Sequence, residues 1–465
     1  VTGILNVGSI QEGIGSPVVP QVPSRSVYDG YGIHNAGGTL VDLANVQGSL
    51  ADGDPTGGLV YSGVLPENYT IILDRTDHYG QLNVIDGEGN DQMRVTAFGL
   101  GDDALFGADV ATHVYASVIT GVGADQMTNE NDAFDMQPGA GVLGRITDAI
   151  EPDAWDLRIW NFGTDFVEPQ HYVLTREAAN QRAALDYDCT TTSGTGLCLT
   201  GALRQVTAGD SYGIDGGDTQ VAGAVAGSVN VTANLRFGGF LKFGGASDTV
   251  PGIKFTGNAP LVGAFVGFAS NADGTGLQAR VAASYQSQSA DISREDALSI
   301  EGTASGSADI TASGVAAELS WGQHFGTGTT VTPYLGVASS RASRADYTET
   351  EGNYALSYGE FSEEQVTGTA GLRVSGALSS SVLYRIGAGV EHDFSHKLSG
   401  FEVYNNVVDA TYQSPYTANA TRFSGQVGMS YLLAPNQEVT LDGQIAQFGE
   451  GSTDFAVSMG FKVGF

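Results

Sequence analysis

The chain ends on Phe455-Ala-Val-Ser-Met-Gly-Phe-Lys-Val-Gly-Phe465, an unbroken alternation of apolar residues with small or polar ones. Because successive side chains of a strand point to opposite faces, this segment has one apolar face that begins and ends on Phe and a second face without large apolar groups. A tilted strand of about ten residues crosses the hydrocarbon layer of a membrane and places its aromatics at the two interfaces. The segment therefore predicts a transmembrane β-strand, although the edge of a soluble sandwich could alternate in the same way.

The composition of the 465 residues agrees with a membrane β-barrel. Gly contributes 66 residues, 15% of the residues are charged, and the mean hydropathy is -0.05. A barrel averages lipid-facing with lumen-facing residues, so near-neutral hydropathy is expected of it. No apolar stretch of about eighteen residues occurs, which excludes a protein that crosses the membrane with helices. The net charge of -32 argues against nucleic acid as a partner.

The cysteines and the amino terminus bear on the compartment. Cys189 and Cys198 are the only cysteines of the chain. A lone pair so close in sequence predicts a disulfide and an oxidising compartment, with two unpaired thiols as the alternative. Export to an outer membrane requires a signal peptide, and none precedes Val1, so we expect a mature or trimmed form.

The region before the cysteines carries most of the acidity. Residues 1–188 contain 27 acidic and seven basic residues and no lysine, a net charge of -20. Residues 1–60 are rich in Gly, Pro, Ser and Val and predict extended chain and turns. Residues 61–172 contain short β-like runs between Gly, Asp and Asn turns, which predict either the stacked coils of a β-helix or a small sandwich. Runs of about five residues cannot span a bilayer.

One helix is predicted over residues 174–187, within a linker at residues 173–198 that also holds the cysteines. Thr175 is the expected N-cap, and strong helix formers follow it. The polar residues Glu177, Arg182 and Asp186 are spread around the helix. A helix that is polar nearly all round must be solvated or enclosed in a polar cavity.

After Cys198 the chain changes to long alternating segments joined by turns. An even number of such segments, with short turns at one end and longer polar loops such as 291–306 and 347–361 at the other, is typical of an outer-membrane barrel. We therefore predict an all-β fold in which residues 199–465 form an antiparallel transmembrane barrel of twelve strands. The predicted strands lie near 218–229, 235–243, 259–270, 277–285, 315–321, 329–343, 366–374, 382–390, 400–413, 423–431, 438–448 and 455–465.

Three segments resemble the autotransporters of Gram-negative bacteria, and the likeness covers roughly residues 175–465. They are Tyr384-Arg-Ile-Gly-Ala-Gly-Val-Glu-His-Asp-Phe394, which is similar to a Glu-His-containing strand of that family, Val331-Thr-Pro-Tyr-Leu-Gly336, and the closing Phe461-Lys-Val-Gly-Phe465. Upstream, Asp77-His-Tyr-Gly-Gln-Leu-Asn-Val84 and Tyr172-Val-Leu resemble the end of a pertactin-like passenger.

The resemblance implies a role for each part of the chain. The barrel would be a translocator in the outer membrane, the helix would thread its lumen, and the upstream residues would be a passenger outside the cell that adheres or coats. Outer-membrane lipid, the barrel-assembly machinery and periplasmic chaperones would be its partners. A closing strand with a carboxy-terminal Phe also resembles the signal that such barrels present for insertion, which would assign that role to Phe461, Val463 and Phe465. A porin or passive channel with an amino-terminal plug is the alternative.

The polar faces of the predicted strands also predict a charged lumen. Its basic residues could pair with Glu177, Asp186 and Asp188 of the helix region, or the wall residues could pair with one another across strands. The predicted lumen-lining residues are Arg236, Lys242, Arg280, Glu318, Arg373, Arg385, Glu391, Asp442 and Lys462.

Neither enzyme activity nor a cofactor is predicted. Gly209-Asp-Ser-Tyr212 and Asp393-Phe-Ser-His396 resemble blocks of a lipase type found on some autotransporters, but here both fall in the barrel region, whereas such a lipase carries both in its passenger. The seven His residues have no metal-site spacing. Self-cleavage between two consecutive Asn is disfavoured because Asn180 is followed by Gln181.

Overall fold

Two β-rich halves make up this protein in a computed structural model. Among the described residues, one α-helix, α1 (Glu168–Ala184), joins them, and no helix has the length and apolarity that crossing a membrane would require. The structure describes residues 4–6, 32–45, 47–48, 58–75, 78–87, 92–100, 114–128, 133–135, 142–149, 153–161, 166–190, 196–207, 219–244, 250–257, 259–295, 303–326, 328–350, 355–404, 409–413, 420–447 and 453–465.

The upstream half is a parallel β-helix. One stack of strands pairs in parallel in the order β1–β2–β4–β7–β9, and a second pairs β3 and β8 with β5. After β9 the pairing becomes antiparallel through β12 and β11 to β10. The strands are β1 (Ile4–Asn6), β2 (Ile33–Asn35), β3 (Asp42–Asn45), β4 (Leu59–Gly63), β5 (Asn68–Arg75), β6 (His78–Tyr79), β7 (Leu82–Gly87), β8 (Arg94–Leu100), β9 (Val114–Thr120), β10 (Ala133–Asp135), β11 (Val142–Asp148) and β12 (Ala154–Asn161).

Buried side chains hold the coils of this β-helix together. Tyr69 and Ile71 lie fully buried in its core. Asn45 is buried at a turn, where its amide donates to the Gln81 carbonyl at 2.9 Å and its oxygen accepts from the Gln47 N–H at 2.8 Å. A buried amide without partners would cost about 1–3 kcal/mol, so these bonds permit a polar turn residue inside the coil. At Gly63, with φ of 93°, a Cβ would lie 2.0 Å from the carbonyl oxygen of Asn35.

The β-helix bears on two predictions for the upstream half. Within residues 1–60, predicted as extended chain and turns, residues 4–6, 33–35, 42–45 and 59–60 form strands. Strands of three to five residues between glycines give too short an alternation to be recognised in the sequence. Of the two folds left open for residues 61–172, the stacked coil is present as far as β9, because the strands pair in parallel up to that point.

The downstream half contains a closed antiparallel barrel of twelve strands, as predicted. The barrel strands are β13, β14, β15, β17, β18, β19, β20, β23, β24, β27, β28 and β29, and the pairing of β13 with β29 closes the ring. In chain order the strands are β13 (Leu197–Thr207), β14 (Thr219–Asn230), β15 (Leu235–Gly244), β16 (Ile253–Phe255), β17 (Leu261–Ala269), β18 (Gly276–Glu295), β19 (Thr303–Phe325), β20 (Thr329–Arg344), β21 (Tyr347–Thr348), β22 (Ser357–Tyr358), β23 (Phe361–Ala377), β24 (Val382–Leu398), β25 (Phe401–Tyr404), β26 (Asp409–Tyr412), β27 (Thr421–Ala434), β28 (Gln437–Gln447) and β29 (Thr453–Gly464).

The predicted set of barrel strands requires two corrections. The first strand, β13, was not predicted, because Gly201 and Gln205 interrupt its apolar face of leucines. The segment 400–413, predicted as a barrel strand, instead forms β25 and β26. These two strands join β21 and β22 in a separate four-stranded sheet, called here the loop sheet. Its alternation reflects packing of Phe401 and Val403 into a buried cluster, where both are fully buried.

The strands are much longer on one side of the barrel than on the other. β18 and β19 extend through residues 286–295 and 303–313, and with residues 339–344 of β20 they form a tall wall. Of the predicted polar loop at 291–306, residues 291–295 and 303–306 are therefore strand. Apart from Arg341, the outward side chains of this wall are short and polar, and we call this set the hydroxyl face: Ser287, Ser289, Asp291, Ser293, Thr303, Ser305, Ser307, Asp309, Thr311, Ser313, Ser339, Arg341 and Ser343.

Helix α1 begins six residues before its predicted start. Pro169 occupies its first turn, a position that suits the missing N–H of proline. Thr175, the predicted N-cap, therefore lies inside the helix, and the residue at the N-cap is Val167, which makes no side-chain capping bond. A Thr before a run of helix formers predicts an N-cap, whereas the fixed φ and missing N–H of Pro169 favour a helix that starts at residue 168.

Candidate functional site

The outer surface of the barrel is an apolar belt. Exposed large apolar side chains recur along one face of its strands, which is the face predicted from the alternation. On the closing strand Phe455, Val457 and Met459 are each 57% exposed, while Ala456 is buried. Other members of the belt include Leu199, Leu203, Val225, Phe237, Leu241, Phe243, Val281, Tyr285, Val315, Leu319, Trp321, Leu335, Val337, Ile386, Phe423, Val427, Met429, Leu441 and Phe461.

The polarity of the strands inverts at the upper limit of this belt. Below it, β18 turns Val281 and Tyr285 outward and Ser284 inward. Above it, the same strand turns Ser289 outward and buries Ile292 inside. If water surrounded the whole length of the strand, its outward side chains would not need to change from apolar to polar. Hydrocarbon around the lower part and water around the upper part explain the change. The inversion marks the edge of the membrane-spanning part.

Helix α1 lies inside the barrel and contacts β18, β19, β20 and β23. Polar side chains along it are buried and bonded to the wall, as its all-round polarity requires. The Thr175 hydroxyl donates to Glu363 at 2.6 Å, and Gln181 accepts from the Ser284 hydroxyl at 2.6 Å. Further along, Arg176 pairs with Asp454, and Arg182 donates to Gln365.

The two ends of the helix lie at opposite ends of the barrel. At its start, Glu168 accepts from the Tyr412 hydroxyl of the loop sheet at 3.1 Å. Just past its end, Asp188 pairs with Arg236, which follows the short turn after β14. Short connections of this kind also follow β17, β19, β23 and β27, and the long ones lie at the other end. The chain before α1 therefore leaves the barrel at the loop end.

Three of the predicted lumen residues face the helix and linker. Arg280 donates to the Leu185 carbonyl, and to that of Tyr187 at 2.6 Å, and so satisfies oxygens that the helix end leaves without internal partners. Lys242 donates to the Asn180 amide oxygen at 2.8 Å and lies beside Glu177. Arg236 reaches Asp188, as described. Asp186 lies within electrostatic reach of Arg280 rather than in a direct pair.

The other predicted lumen residues pair across the wall. Arg373 holds Glu318 through two bonds of 2.6 and 2.7 Å, and its guanidinium stacks over the Tyr334 ring. The remaining wall pairs are Arg385 with Asp442, Lys462 with Glu438, and Arg422 with Glu391. Both pairing schemes left open by the sequence are thus present, at different residues.

Comparison with known proteins gives the family. Similar solved structures include the translocator domain of autotransporter NalP from Neisseria meningitidis, with 18% identity over 65% of this chain and 98% of that one and a TM-score of 0.49. The transport unit of the autotransporter AIDA-I from Escherichia coli is 14% identical over 64% of this chain and 99% of that one, with a TM-score of 0.41. No curated protein matches. The sequence model of the family described as "Autotransporter beta-domain" matches residues 200–445, more than half of the chain. The chain belongs to the autotransporter family.

The barrel is accordingly the translocator domain of an outer-membrane autotransporter, and the β-helix is its passenger region. Of the two lipase-like blocks, Gly209–Tyr212 falls outside the described residues. In the other, the Asp393 carboxylate accepts from the Arg422 guanidinium and from the Thr367 hydroxyl, the latter at 2.6 Å.

The linker of the autotransporter holds both cysteines. Cys189 and Cys198 are bonded to each other in the structure, with their Cα atoms 5.7 Å apart. Cys198 lies at the start of β13, and the Cys189 carbonyl accepts from the Ser228 hydroxyl of β14 at 2.6 Å. The end of the helix region is thereby attached to the first two strands of the barrel.

Sequence reasoning missed a second group of buried polar residues at the loop end. Glu363 accepts from Thr175 and lies 2.9 Å from His396 and 3.8 Å from His171. Glu363, His396 and Asp393 lie beyond the predicted ends of their strands, which were placed at residues 366 and 390. Correct strand lengths would have put Glu363 in phase with the lumen face of β23.

A buried cluster at the loop end joins passenger, helix and loop sheet. The guanidinium carbon of Arg294 lies 4.7 Å from the ring centroid of Trp160 on β12. Arg294 also forms an ion pair with Glu349 at 2.8 Å. Burial raises the pKa of the Tyr358 phenol well above its ordinary value, so this hydroxyl remains protonated and donates to Glu349 at 2.8 Å. The loop end of the lumen is filled by packed side chains.

Proposed function

We propose that the barrel exports and anchors its own β-helix, which is displayed on the cell surface, with α1 left in the lumen afterwards. The observation that carries the proposal is the direction of α1. Its amino-terminal end meets the loop sheet, and its carboxy-terminal end meets the short-turn end, where β13 begins. In outer-membrane barrels the short turns are periplasmic and the long loops extracellular. A chain leaving at the loop end therefore leaves toward the outside.

The porin alternative has less support. The passenger strands pair with one another in sheets separate from the barrel sheet, so they do not widen it. Within the described residues the lumen holds α1 and its bonded wall partners, and a passive channel would need an open water path there.

We take the passenger to be an adhesin or a surface coat rather than an enzyme. Among its described residues, the exposed large apolar side chains are Ile85 and Val114, which are far apart in sequence. The acidic, lysine-free composition suits a well-solvated surface in contact with the medium.

Assembly of the barrel would use its closing strand. We propose that Phe461, Val463 and Phe465 are read by the barrel-assembly machinery after periplasmic chaperones deliver the chain. The position of these residues at the junction of β29 with β13 supports this role. The Phe465 N–H donates to the Leu197 carbonyl at 2.9 Å, so the last residue completes the junction between the first and last strands in outer-membrane lipid.

Protease treatment of whole cells tests the surface display. A broad-specificity protease added outside should remove the passenger from the 48.1 kDa chain and leave a protected fragment of about 31 kDa, estimated from the roughly 300 residues of α1, the linker and the barrel. A lysine-specific protease is the matched control, because residues 1–188 contain no lysine and should survive it. A protected fragment that includes residues 60–170 would place the passenger inside the cell envelope and favour the porin.

A further inference from the structure

The hydroxyl face of the tall wall is a surface that the translocator role does not use. It continues the lipid-facing belt upward without a break, since it lies on the same outward face of β18, β19 and β20. Ten of its thirteen side chains carry a hydroxyl, and no lysine, aromatic or aliphatic side chain is among them. It therefore stands directly above the hydrocarbon, at the level where the polar parts of the surrounding lipids begin.

The chemistry of this face excludes the two commonest partners. Protein interfaces centre on aromatic, aliphatic or arginine anchors, which are absent here apart from Arg341. That guanidinium is held by Glu360 at 3.0 Å and Glu364 at 2.8 Å. Phosphate groups require unneutralised Arg or Lys, so they are not what this face recognises.

The geometry of the face suits a ligand that is itself rich in hydroxyl groups. Its hydroxyls repeat at roughly 4.8 Å across strands and roughly 6.8 Å along them, and short side chains lose little entropy on binding. Neighbouring groups already bond to one another, with the Ser289 hydroxyl donating to Asp309 at 2.5 Å and Thr311 lying 2.9 Å from Ser343. Behind the wall, Ile292 and Ile310 pack into the buried cluster at the loop end.

We propose that the hydroxyl face binds the core sugars of lipopolysaccharide in the outer leaflet around the barrel. Sugar hydroxyls would donate to the carboxylates of Asp291 and Asp309 and exchange hydrogen bonds with the Ser and Thr hydroxyls. Each bond is weak alone, but the sugars are held beside the wall by their own lipid anchor, which raises their effective concentration. The inference rests on the proposed orientation, with the loop end outside.

Binding of two lipopolysaccharides to the purified full-length protein tests this. Lipopolysaccharide with a complete core should bind immobilised protein at least about threefold more tightly than a deep-rough form that carries lipid A and only its first sugars. The triple variant Ser289→Ala, Ser307→Ala, Ser313→Ala should lose that preference. The control variant Thr348→Ala, Ser357→Ala removes an exposed hydroxyl pair from the loop sheet and should keep it.

Several results would overturn the inference. Equal binding of the two lipopolysaccharides, or a preference that survives in the triple variant, would do so. So would a dimer of the protein that the triple variant abolishes, since the face would then be covered by a second copy. Should the triple variant fold poorly by heat-modifiable mobility, Ser307→Ala alone must reduce the preference. The assay uses purified protein, so its failure is distinct from a failure of surface display on cells.

Discussion

In this autotransporter, the face of the strand on which a side chain lies determines which groups it can contact. Alternation placed Arg236, Lys242 and Arg280 in the lumen from sequence alone, and there they meet the helix and linker. The partner of each was not predictable, because pairing depends on the stagger between strands, which no local pattern encodes. Glu438, the partner of Lys462, was missed for that reason.

A charge on the lipid side of the closing strand should destabilise the barrel. Met459 lies near the middle of β29, 57% exposed and flanked by Leu203 and Leu441 of the neighbouring strands. Met459→Lys should cost about 2–4 kcal/mol of unfolding free energy, as lysine does at the bilayer midplane. Urea unfolding of the barrel refolded in liposomes measures this.

The matched control is Gln444→Lys on β28, where the side chain is half-buried on the lumen side. Its cost should stay below about 1 kcal/mol, because a lumenal lysine keeps polar surroundings. Equal destabilisation by the two substitutions would mean that the outward face does not meet hydrocarbon.

At the scale of elements, the helix and the strands were recognised, but their bounds were not. Helix formers and all-round polarity predicted α1 and its polar cavity. Its first turn was missed because Glu168-Pro169-Gln170-His171 has no apolar periodicity. This turn is stabilised by contact with the loop sheet, which is distant in sequence. β18 and β19 were predicted too short because their apolar face switches sides at the edge of the membrane.

Removing α1 should open the barrel. Replacing residues 168–184 by a flexible Gly/Ser segment of equal length would eliminate the contacts of Thr175, Arg176, Gln181 and Arg182 with the wall. Single-channel conductance in planar bilayers should rise severalfold over that of the full-length chain, because the lumen would fill with water. Conductance equal to that of the full-length chain would mean that something other than the helix closes the lumen.

The linker disulfide should stabilise the junction of helix and barrel. Closing a loop of this length contributes roughly 2–3 kcal/mol by restricting the unfolded chain. Cys189→Ser with Cys198→Ser should lower the unfolding free energy by about that amount, and dithiothreitol should reproduce the loss in the native chain but not in the double variant. Mass spectrometry that finds two free thiols in unreduced native protein would remove the basis of this prediction.

At the scale of the whole molecule, the barrel was predictable and its contacts with the passenger were not. The prediction of a barrel rests on a period of two that is repeated along about 270 residues. The count of twelve strands remained correct because one strand was missed and one was wrongly included. The β-helix has coils too short and irregular for such a signal. The cluster that joins Trp160 to Arg294 brings together residues from both halves, and no local pattern predicts such contacts.

In the proposed orientation, β3 of the passenger and the turn after β17 lie on opposite sides of the outer membrane. Ala44 and Ala272 are exposed at these two places, so Ala44→Cys and Ala272→Cys form a matched pair in a Cys189→Ser, Cys198→Ser background. A membrane-impermeant maleimide added to intact cells should label position 44 and leave position 272 unlabelled until the outer membrane is permeabilised. Labelling of position 272 on intact cells, or protection of position 44, would contradict the account.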